Sequence, residues 1–371
     1  MPVVNSADSH VLEPKMLWQE RMPARLRERA IRPVREGDLE IVYADGIAIR
    51  RNRVDSTGKV RAPGFAKPAE RLQDLEQEQI WAELLFPSLG LWIPMCTDPE
   101  LAAAMSRVYN DWLFETFMTV SPRFIGTAVI PTLEIETAVE EIGRVKDLGY
   151  QAVNLPCTPP AHRPYNSREY DPIWGALEEA RLRLCFHVGT GADPIVARGD
   201  GGAVINYVET FFPAQRLVAH LVASGALDRY PELQVMVVEG GASWIPSLME
   251  RMDEGYRQHG MWAKPKLSAM PSEIMRRQVH ATFQHDRALM ATLEFTGSKM
   301  LMWGSDYPHF EGTWPNSQAE IEKIFGGSDP VVRAEITGQN MADLFHLPDP
   351  PTSCRSDSEQ AITVSKDEGP Q

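Results

Sequence analysis

The sequence has few of the features that mark secreted, membrane-spanning or redox proteins. Its 371 residues contain four cysteines, Cys96, Cys157, Cys185 and Cys354, and no two of them form a C-x-x-C pair. This usage predicts reduced thiols rather than a disulfide framework. No apolar run approaches the roughly 18 residues of a membrane span. The opening MPVVNSADSH also has neither the basic nor the apolar region of a signal peptide. We therefore expect a soluble, cytoplasmic protein.

Positive charge is also scarce. Lysine and arginine number 37 against 51 aspartates and glutamates, which gives a formal net charge of −14. This balance argues against a nucleic-acid partner or an anionic membrane surface, both of which select basic clusters. We expect a small-molecule substrate and assembly into a homodimer or higher homo-oligomer. The reason is that a charged insertion and apolar helices such as FFPAQRLVAHLVASG offer more surface than a barrel must cover.

Short apolar runs recur along the chain, and a helix-like stretch follows most of them. Eight runs are strand candidates: 2–8, 81–88, 124–131, 152–157, 184–189, 233–241, 279–284 and 300–306. Continuous Val/Ile/Leu runs are typical of strands buried on both faces of a parallel sheet. Eight such strands in β–α alternation predict an α/β protein with a (β/α)8 barrel. A doubly wound open sheet is disfavoured, because no G-x-G-x-x-G follows the first strand.

Two segments fall outside the repeat. Residues 14–70 are charged and contain Pro and Gly, and they read as an insertion after the first strand with a hairpin at 39–51. The polar segment 348–371 is predicted to be a disordered or arm-like tail. The domain prediction is thus one barrel over 1–347, which includes the insertion, followed by the tail.

Ionisable residues stand at the ends of four predicted strands. They are Asp8 and His10 on the first strand, His187 on the fifth, Glu239 after the sixth and Asp306 after the eighth. In a barrel these ends form the catalytic face. Asp8 and His10 are two residues apart, so both side chains leave the same face of the strand. Two imidazoles with two carboxylates suit Zn²⁺, Mn²⁺ or Fe²⁺ better than Ca²⁺ or Mg²⁺. The predicted ligands are Asp8, His10, His187 and Asp306, with zinc as the preferred metal.

Taken singly, each of these residues has an ordinary structural explanation. A histidine at the edge of a core is more often hydrogen-bonded than metal-bound, and an aspartate after Gly-Ser is commonly a turn or cap residue. Their joint placement at the strand ends of one barrel favours a metal site. We further expect Trp244, Tyr307 and Trp314 to line a pocket for a flat ring, and His309 to orient the substrate or Asp306.

Several motifs occur in order along most of the chain: DSHVLEP, LLFPS, AVNLP, FHVGTG, DRYPELQVMVVEGG and GSDYPH. With them the sequence resembles the amidohydrolase-2 family of the amidohydrolase superfamily, which includes aminocarboxymuconate-semialdehyde decarboxylase and γ-resorcylate decarboxylase. The resemblance implies a metal-dependent TIM barrel, with the family's ligands falling on Asp8, His10, His187 and Asp306. One position departs from the family. Its decarboxylases have a histidine before the glycines of the sixth strand, where this chain has Glu239.

Two enzymatic mechanisms fit these residues, with Asp306, Glu239 and His187 as the catalytic candidates. In a decarboxylase, the metal holds a carboxylate or phenolate of a small aromatic or unsaturated acid while a protein acid protonates the carbon that loses CO₂. In a hydrolase, the metal activates water and Asp306 accepts its proton. Asp306 is the general base or proton shuttle in either case. The non-enzymatic alternative is a metal-free barrel that only binds a ligand or partner.

Overall fold

The computed structural model describes residues 3–53, 62–191 and 197–350. Its strands are β1 Val4–His10, β2 Arg32–Glu36, β3 Leu39–Ala44, β4 Ile47–Arg53, β5 Ile80–Phe86, β6 Phe124–Val129, β7 Ala152–Thr158, β8 Arg183–Gly191, β9 Val235–Val238, β10 Val279–Phe283 and β11 Leu301–Trp303. Its α-helices are α1 Leu17–Arg21, α2 Pro68–Glu78, α3 Pro99–Leu113, α4 Ile135–Leu148, α5 Asp171–Ala180, α6 Gly202–Glu209, α7 Phe212–Ala223, α8 Ala226–Arg229, α9 Ile245–His259, α10 Pro271–Gln278, α11 Leu289–Thr296, α12 Ser317–Phe325, α13 Pro330–Ala334 and α14 Asn340–Phe345. Short π-helical segments follow α3 at Phe114–Met118 and α13 at Glu335–Gln339.

Eight parallel strands form the barrel in the order β1-β5-β6-β7-β8-β9-β10-β11. The loop after β11 returns to β1: Ser9 bridges to Tyr307, and the Asp306 amide donates to the Asp8 carbonyl at 2.9 Å. Each predicted strand run overlaps one barrel strand, so the predicted (β/α)8 barrel is confirmed. We call the contact between β1 and the loop after β11 the closing seam.

Apolar side chains fill the barrel interior and the space between the strands and the helices. The interior cluster includes Ala7, Leu84, Cys185, Met236 and Met302, all buried. Met341 and Phe345 of α14 belong to the same cluster, so this helix packs against the interior. The polar strand ends described below are therefore the part of the interior that is available for chemistry.

The insertion after β1 contains a three-stranded antiparallel sheet, β2-β3-β4. The hairpin predicted at 39–51 is present as β3 and β4, joined by Asp45 and Gly46, both at positive φ. Positive φ at both turn residues is the geometry of tight hairpins, which Asp-Gly favours. The third strand, β2, was not predicted from the sequence.

Most of the predicted tail, 351–371, and residues 54–61 of the insertion lie outside the described residues. The first residue of the predicted tail, Pro348, is fixed to the barrel, because its carbonyl accepts a hydrogen bond from Trp81 Nε1 at 3.0 Å. Within the described ranges, none of the helices combines the length and the apolar character that a membrane crossing requires.

Candidate active site

The four predicted metal ligands converge at the carboxyl ends of the barrel strands. The Nε2 atoms of His10 and His187 lie 3.0 Å apart. Asp8 Oδ1 is 3.7 Å from each of these nitrogens. Asp306 Oδ1 is 3.6 Å from His10 Nε2. All four side chains are buried. Asp8, His10 and His187 offer ligand atoms within 4.8 Å of one another, and a second such group, which shares His10, contains Asp306 and His309.

The closing seam sets the position of Asp306 relative to β1. A Cβ added at Gly304 would lie 2.5 Å from the Asp8 Cβ, so only glycine lets the two segments approach this closely. Asp306 then takes a left-handed conformation with φ of 53°, an uncommon one for a residue with a side chain. This turn ends the apolar strand MLMW and directs the Asp306 carboxylate back toward His10.

Both histidines are held by backbone carbonyls on the ring nitrogen that faces away from the cluster. His10 Nδ1 is 2.8 Å from the Pro87 oxygen, and His187 Nδ1 is 3.0 Å from the Val188 oxygen. A carbonyl can only accept a hydrogen bond, so each Nδ1 is the protonated nitrogen. The Nε2 atoms therefore face the cluster, which is the arrangement of metal-binding histidines.

The carboxylates provide the test of whether a cation fits. All four oxygens of Asp8 and Asp306 are buried without a hydrogen-bond partner. His309 Nδ1 is 2.7 Å from Asp306 Oδ1, but the contact lacks the angle of a hydrogen bond. Ligands about 2.1 Å from one ion lie about 3.0 Å apart at right angles and about 3.4 Å apart in a tetrahedron. The observed 3.0–3.7 Å separations fit one divalent cation with little adjustment.

Burial and mutual repulsion shift the pKa values of these ligands. Burial, with the nearby His309 and His187, lowers the pKa of His10 well below its ordinary value. Burial works to lower the pKa of His187 too, but Asp8 and Glu239 outweigh it and raise that pKa to about 9. Burial, with the Asp8 carboxylate next, raises the pKa of Asp306 well above its usual range. Like-charge crowding of this kind is what a bound cation would relieve.

Glu239 forms the wall between the ligand cluster and an adjoining cavity. It follows β9 with φ of 60°, and its amide donates to Thr282 Oγ1 at 2.8 Å. Its Oε2 lies 3.7 Å from His187 Nε2. Burial, followed by the charge of Asp306, raises the pKa of Glu239 to about 8. Glu239 is therefore a carboxyl group beside the cluster whose protonated form is favoured by burial.

The cavity beside Glu239 has a volume of about 360 Å³. Aromatic rings and amides form much of its lining: Tyr207, Phe211, Trp244, Phe283, Gln215 and Gln284. Trp244 is fixed there because its Nε1 donates to the carbonyls of Gly240 and Gly241, both at 2.9 Å. Within the described ranges, no lysine or arginine lines this cavity. It suits a flat, uncharged ring.

The other three residues predicted to contact substrate lie outside this cavity lining. His309 is partly exposed and stacks on His10 with ring centroids 4.1 Å apart. Tyr307 is buried, its hydroxyl donates to Asp74, and its ring meets Trp314 edge-on at 6.3 Å. These partners give Tyr307 an anchoring role in the closing seam. Substrate contacts by His309, Tyr307 and Trp314 stay predictions.

One face of helix α2 supports the site from behind and was not predicted from the sequence. Arg71 is fully buried, forms a two-pronged ion pair with Glu83, and donates to the His10 carbonyl at 2.6 Å. Its guanidinium lies 4.5 Å from the centre of the Tyr307 ring. Asp74, one turn further along, accepts hydrogen bonds from Tyr307 and from the Gly64 amide. In the sequence, PAERLQDLEQE reads as a solvated charged helix, and only the three-residue spacing of Arg71 and Asp74 hints at a common face.

Comparison with known proteins gives a consistent result. The family model described as Amidohydrolase matches residues 65–347. The γ-resorcylate decarboxylase of a Polaromonas species is 24% identical over 320 residues, which is 78% of this chain and 96% of that protein. The chain is thus similar to a curated decarboxylase over nearly all of that relative's length.

Solved structures agree on the fold. An amidohydrolase from Mycobacterium avium subsp. paratuberculosis superimposes with a TM-score of 0.76 at 18% identity, covering 93% of this chain and 99% of that one. A dihydroxybenzoic acid decarboxylase from Polaromonas, with bound manganese and the inhibitor 2-nitroresorcinol, has a TM-score of 0.65 at 18% identity. That match covers 94% of this chain and 98% of the other. At these identities the likeness establishes a shared barrel architecture.

Proposed function

This chain belongs to the amidohydrolase family, and we propose that it is a metal-dependent decarboxylase of a hydroxylated aromatic carboxylic acid. The observation that supports this most is the meeting of two inward-facing Nε2 atoms with four buried carboxylate oxygens that have no hydrogen-bond partner. This donor set opens through Glu239 onto an aromatic cavity without a described lysine or arginine. The curated relative's name, γ-resorcylate decarboxylase, supports the same class of substrate.

Asp8, His10, His187 and Asp306 would hold one divalent transition metal. When bound, this metal supplies positive charge that attracts the carboxylate and phenolate oxygens of the substrate. The preference for zinc stays a prediction. Manganese suits the same two-nitrogen, two-carboxylate set, and the similar dihydroxybenzoic acid decarboxylase contains it.

The cavity orients the substrate. A ring packed against Trp244 and Phe283 is removed from water, and the amide groups of Gln215 and Gln284 are available to ring hydroxyls. Because the cavity lining offers the substrate carboxylate no described cation, that carboxylate faces the ligand cluster instead. The bond to be broken then lies next to Glu239, which lines the cavity, on the side of the cluster that also contains Asp306.

Decarboxylation requires one proton at the ring carbon that loses CO₂. As the carbon–carbon bond breaks, its electron pair stays on the ring carbon, and that carbon takes a proton from a protein acid. We assign this delivery to Asp306, whose carboxyl group lies 3.6 Å from His10 Nε2 within the ligand cluster. Glu239, which stands where the family's decarboxylases have a histidine, holds a second proton beside His187.

The test is an assay of metal-loaded protein with 2-hydroxybenzoate and 2,6-dihydroxybenzoate, with phenol or resorcinol formation followed by chromatography and CO₂ release measured in parallel. We expect decarboxylation of at least one acid that stops on chelation and returns with manganese or zinc. Aryl esters and lactones are assayed beside them. Hydrolysis without decarboxylation would replace this proposal by the hydrolase mechanism, and absence of both metal and turnover would favour the binding-only barrel.

Assembly into a homo-oligomer is a second part of the proposal. Helix α6 and the start of α7 expose Val204, Tyr207, Val208 and Phe212, an apolar surface next to the cavity mouth. Contiguous exposed apolar residues favour association between protein surfaces. Light scattering should give a mass above that of one 41.6 kDa chain at micromolar concentration; a monomer mass throughout would contradict this part alone.

A further inference from the structure

Glu13 is a buried acid near the ligand cluster whose hydrogen bonds all go to one loop. It lies three residues after His10, and its side chain is shielded from solvent. Oε2 accepts the amides of Ser88 at 3.3 Å and Leu89 at 2.9 Å, and Oε1 accepts the amide of Gly90 at 2.8 Å. No described lysine or arginine forms an ion pair with it, so three backbone amides compensate this carboxylate.

The same loop holds His10. It begins at Pro87, whose carbonyl oxygen is the 2.8 Å partner of His10 Nδ1. The Ser88 hydroxyl donates to the Val11 carbonyl at 2.8 Å, which ties the loop to β1 a second time. Gly90 completes the arrangement, since a Cβ there would meet Pro87 Cβ at 2.8 Å and Glu13 Oε1 at 3.2 Å. The position of the Pro87 carbonyl is therefore set by the Glu13 carboxylate.

We propose that Glu13 is a positioning residue for the metal site. It fixes the loop of residues 87–90, so that the Pro87 carbonyl keeps the proton of His10 on Nδ1. The Nε2 atom of the same ring then stays free for the cation. The proposal rests on the proposed function only in treating His10 as a ligand. Glu13 touches neither the cation position nor the cavity, so it acts through the loop and the ring.

A carboxylate is suited to this role because it only accepts hydrogen bonds. Two oxygens with no donor can receive three amides at once, whereas the NH₂ group of glutamine would face an amide donor. Partners one step removed from a metal ligand typically change metal affinity by about 10- to 100-fold when they are replaced. Glu13 is a further step away, so the lower end of that range is expected.

The experiment compares Glu13→Gln with Asp253→Asn in the full chain. Asp253 accepts the Ser272 amide at 2.9 Å between α9 and α10, on the outer helices, and serves as the matched control. We expect Glu13→Gln to weaken manganese and zinc binding about tenfold in competition with a chromogenic chelator. In the ¹⁵N spectrum of labelled histidine, the His10 signal, assigned with a His10→Gln variant, should show partial loss of the Nδ1-protonated form. Asp253→Asn should change neither.

A folded Glu13→Gln protein with unchanged metal affinity and an unchanged His10 tautomer would overturn the proposal. Glu13→Asp, which keeps the charge but shortens the reach, is the second variant if Glu13→Gln does not fold.

The native chain supplies a test that needs no variant. Because coupling is reciprocal, manganese should slow hydrogen exchange at the amides of Ser88, Leu89 and Gly90, and unchanged exchange there would equally overturn it. If wild-type protein binds no metal, the proposed function fails, whereas the tautomer measurement still decides the role of Glu13.

Discussion

Two groups of buried acids lie close together in this barrel, and their surroundings differ completely. Glu83 on β5 is fully buried, and Arg71 contacts both of its oxygens. Asp8 and Asp306 are equally buried, yet none of their oxygens has a hydrogen-bond partner. Burial alone therefore does not distinguish a structural acid from a functional one.

The difference indicates what each group contributes. Removing one partner of a buried ion pair is strongly destabilising, because it leaves the other charge buried without compensation. Buried carboxylates without partners are unfavourable in the folded protein, and they persist where a ligand completes them. We accordingly expect changes at the Arg71–Glu83 pair to affect stability, and changes at Asp306 to affect chemistry.

The largest expected effect comes from breaking the buried ion pair between Arg71 and Glu83. Glu83→Gln leaves the buried Arg71 guanidinium without its counter-charge, and the free energy of unfolding should fall by about 3–5 kcal/mol. Urea denaturation followed by circular dichroism measures this change. Arg71→Met combined with Glu83→Gln should recover part of the loss, since no unpaired charge then remains. Wild-type stability in the single variant would mean that the pair is not a structural element.

Asp306→Asn is the corresponding change in the ligand cluster, where the carboxylate oxygens have no hydrogen-bond partner. Asparagine tolerates the positive φ of this position and keeps the shape but not the charge. Turnover should fall by at least roughly 10²-fold, the scale of a positioned acid–base group. The melting temperature of metal-free protein should hold, because asparagine keeps the shape of a buried carboxyl group whose raised pKa already favours the neutral form. Near-normal turnover with metal bound and a sharply lowered melting temperature would make Asp306 a structural turn residue.

The pH dependence of metal-free protein provides a third test. The pKa values of Glu239 and His187 are raised to about 8 and about 9, so the folded chain holds these protons more tightly than the unfolded chain. That stabilisation is present at low pH and is lost as pH rises through these values.

The lowered pKa values of His10 and His309 act in the opposite sense, but only below the ordinary histidine value of about 6.5. Between pH 6.5 and 9 the melting temperature of chelator-treated protein should therefore fall by a few degrees, on the scale of ~2–4 °C per kcal/mol. Manganese-loaded protein should show a smaller fall, because the cation takes the place of the protons. Parallel curves with and without metal would contradict this prediction.

The smallest effect is expected at His309. It stacks on His10 and lies beside Asp306 without a hydrogen bond to it, so it adjusts the two ligands rather than holding them. His309→Gln should lower turnover about tenfold or less, with the melting temperature unchanged. A loss as large as that of Asp306→Asn would instead place His309 among the groups that transfer the proton.

The sequence predicted the barrel and the four ligand candidates because both signals are local. Each strand is a continuous apolar run, and each candidate ligand sits within or just after such a run, as Asp306 does after MLMW. The support around them could not be predicted in this way. Arg71 lies in a helix whose sequence looks solvated, and Tyr307 meets Asp74 from 233 residues away.

Glu13 illustrates a different limit. It belongs to the motif DSHVLEP, but this motif alone does not indicate that the partners of the carboxylate are the amides of residues 88–90. Such pairings depend on where two loops meet after the barrel has closed. The pattern of strands fixes which elements are neighbours, whereas the contacts between their loops depend on turn geometry that short sequence patterns do not specify.

The closing seam has a consequence for biosynthesis. Asp8 and His10 lie on the first barrel strand, while Asp306, whose amide bonds to Asp8, follows the last barrel strand. The proposed ligand set is therefore complete only after the last strand has been made and has joined the first. Contacts this distant in sequence also form late in folding, because the loop between them must first be ordered. Metal capture by the complete proposed set would thus report a finished barrel.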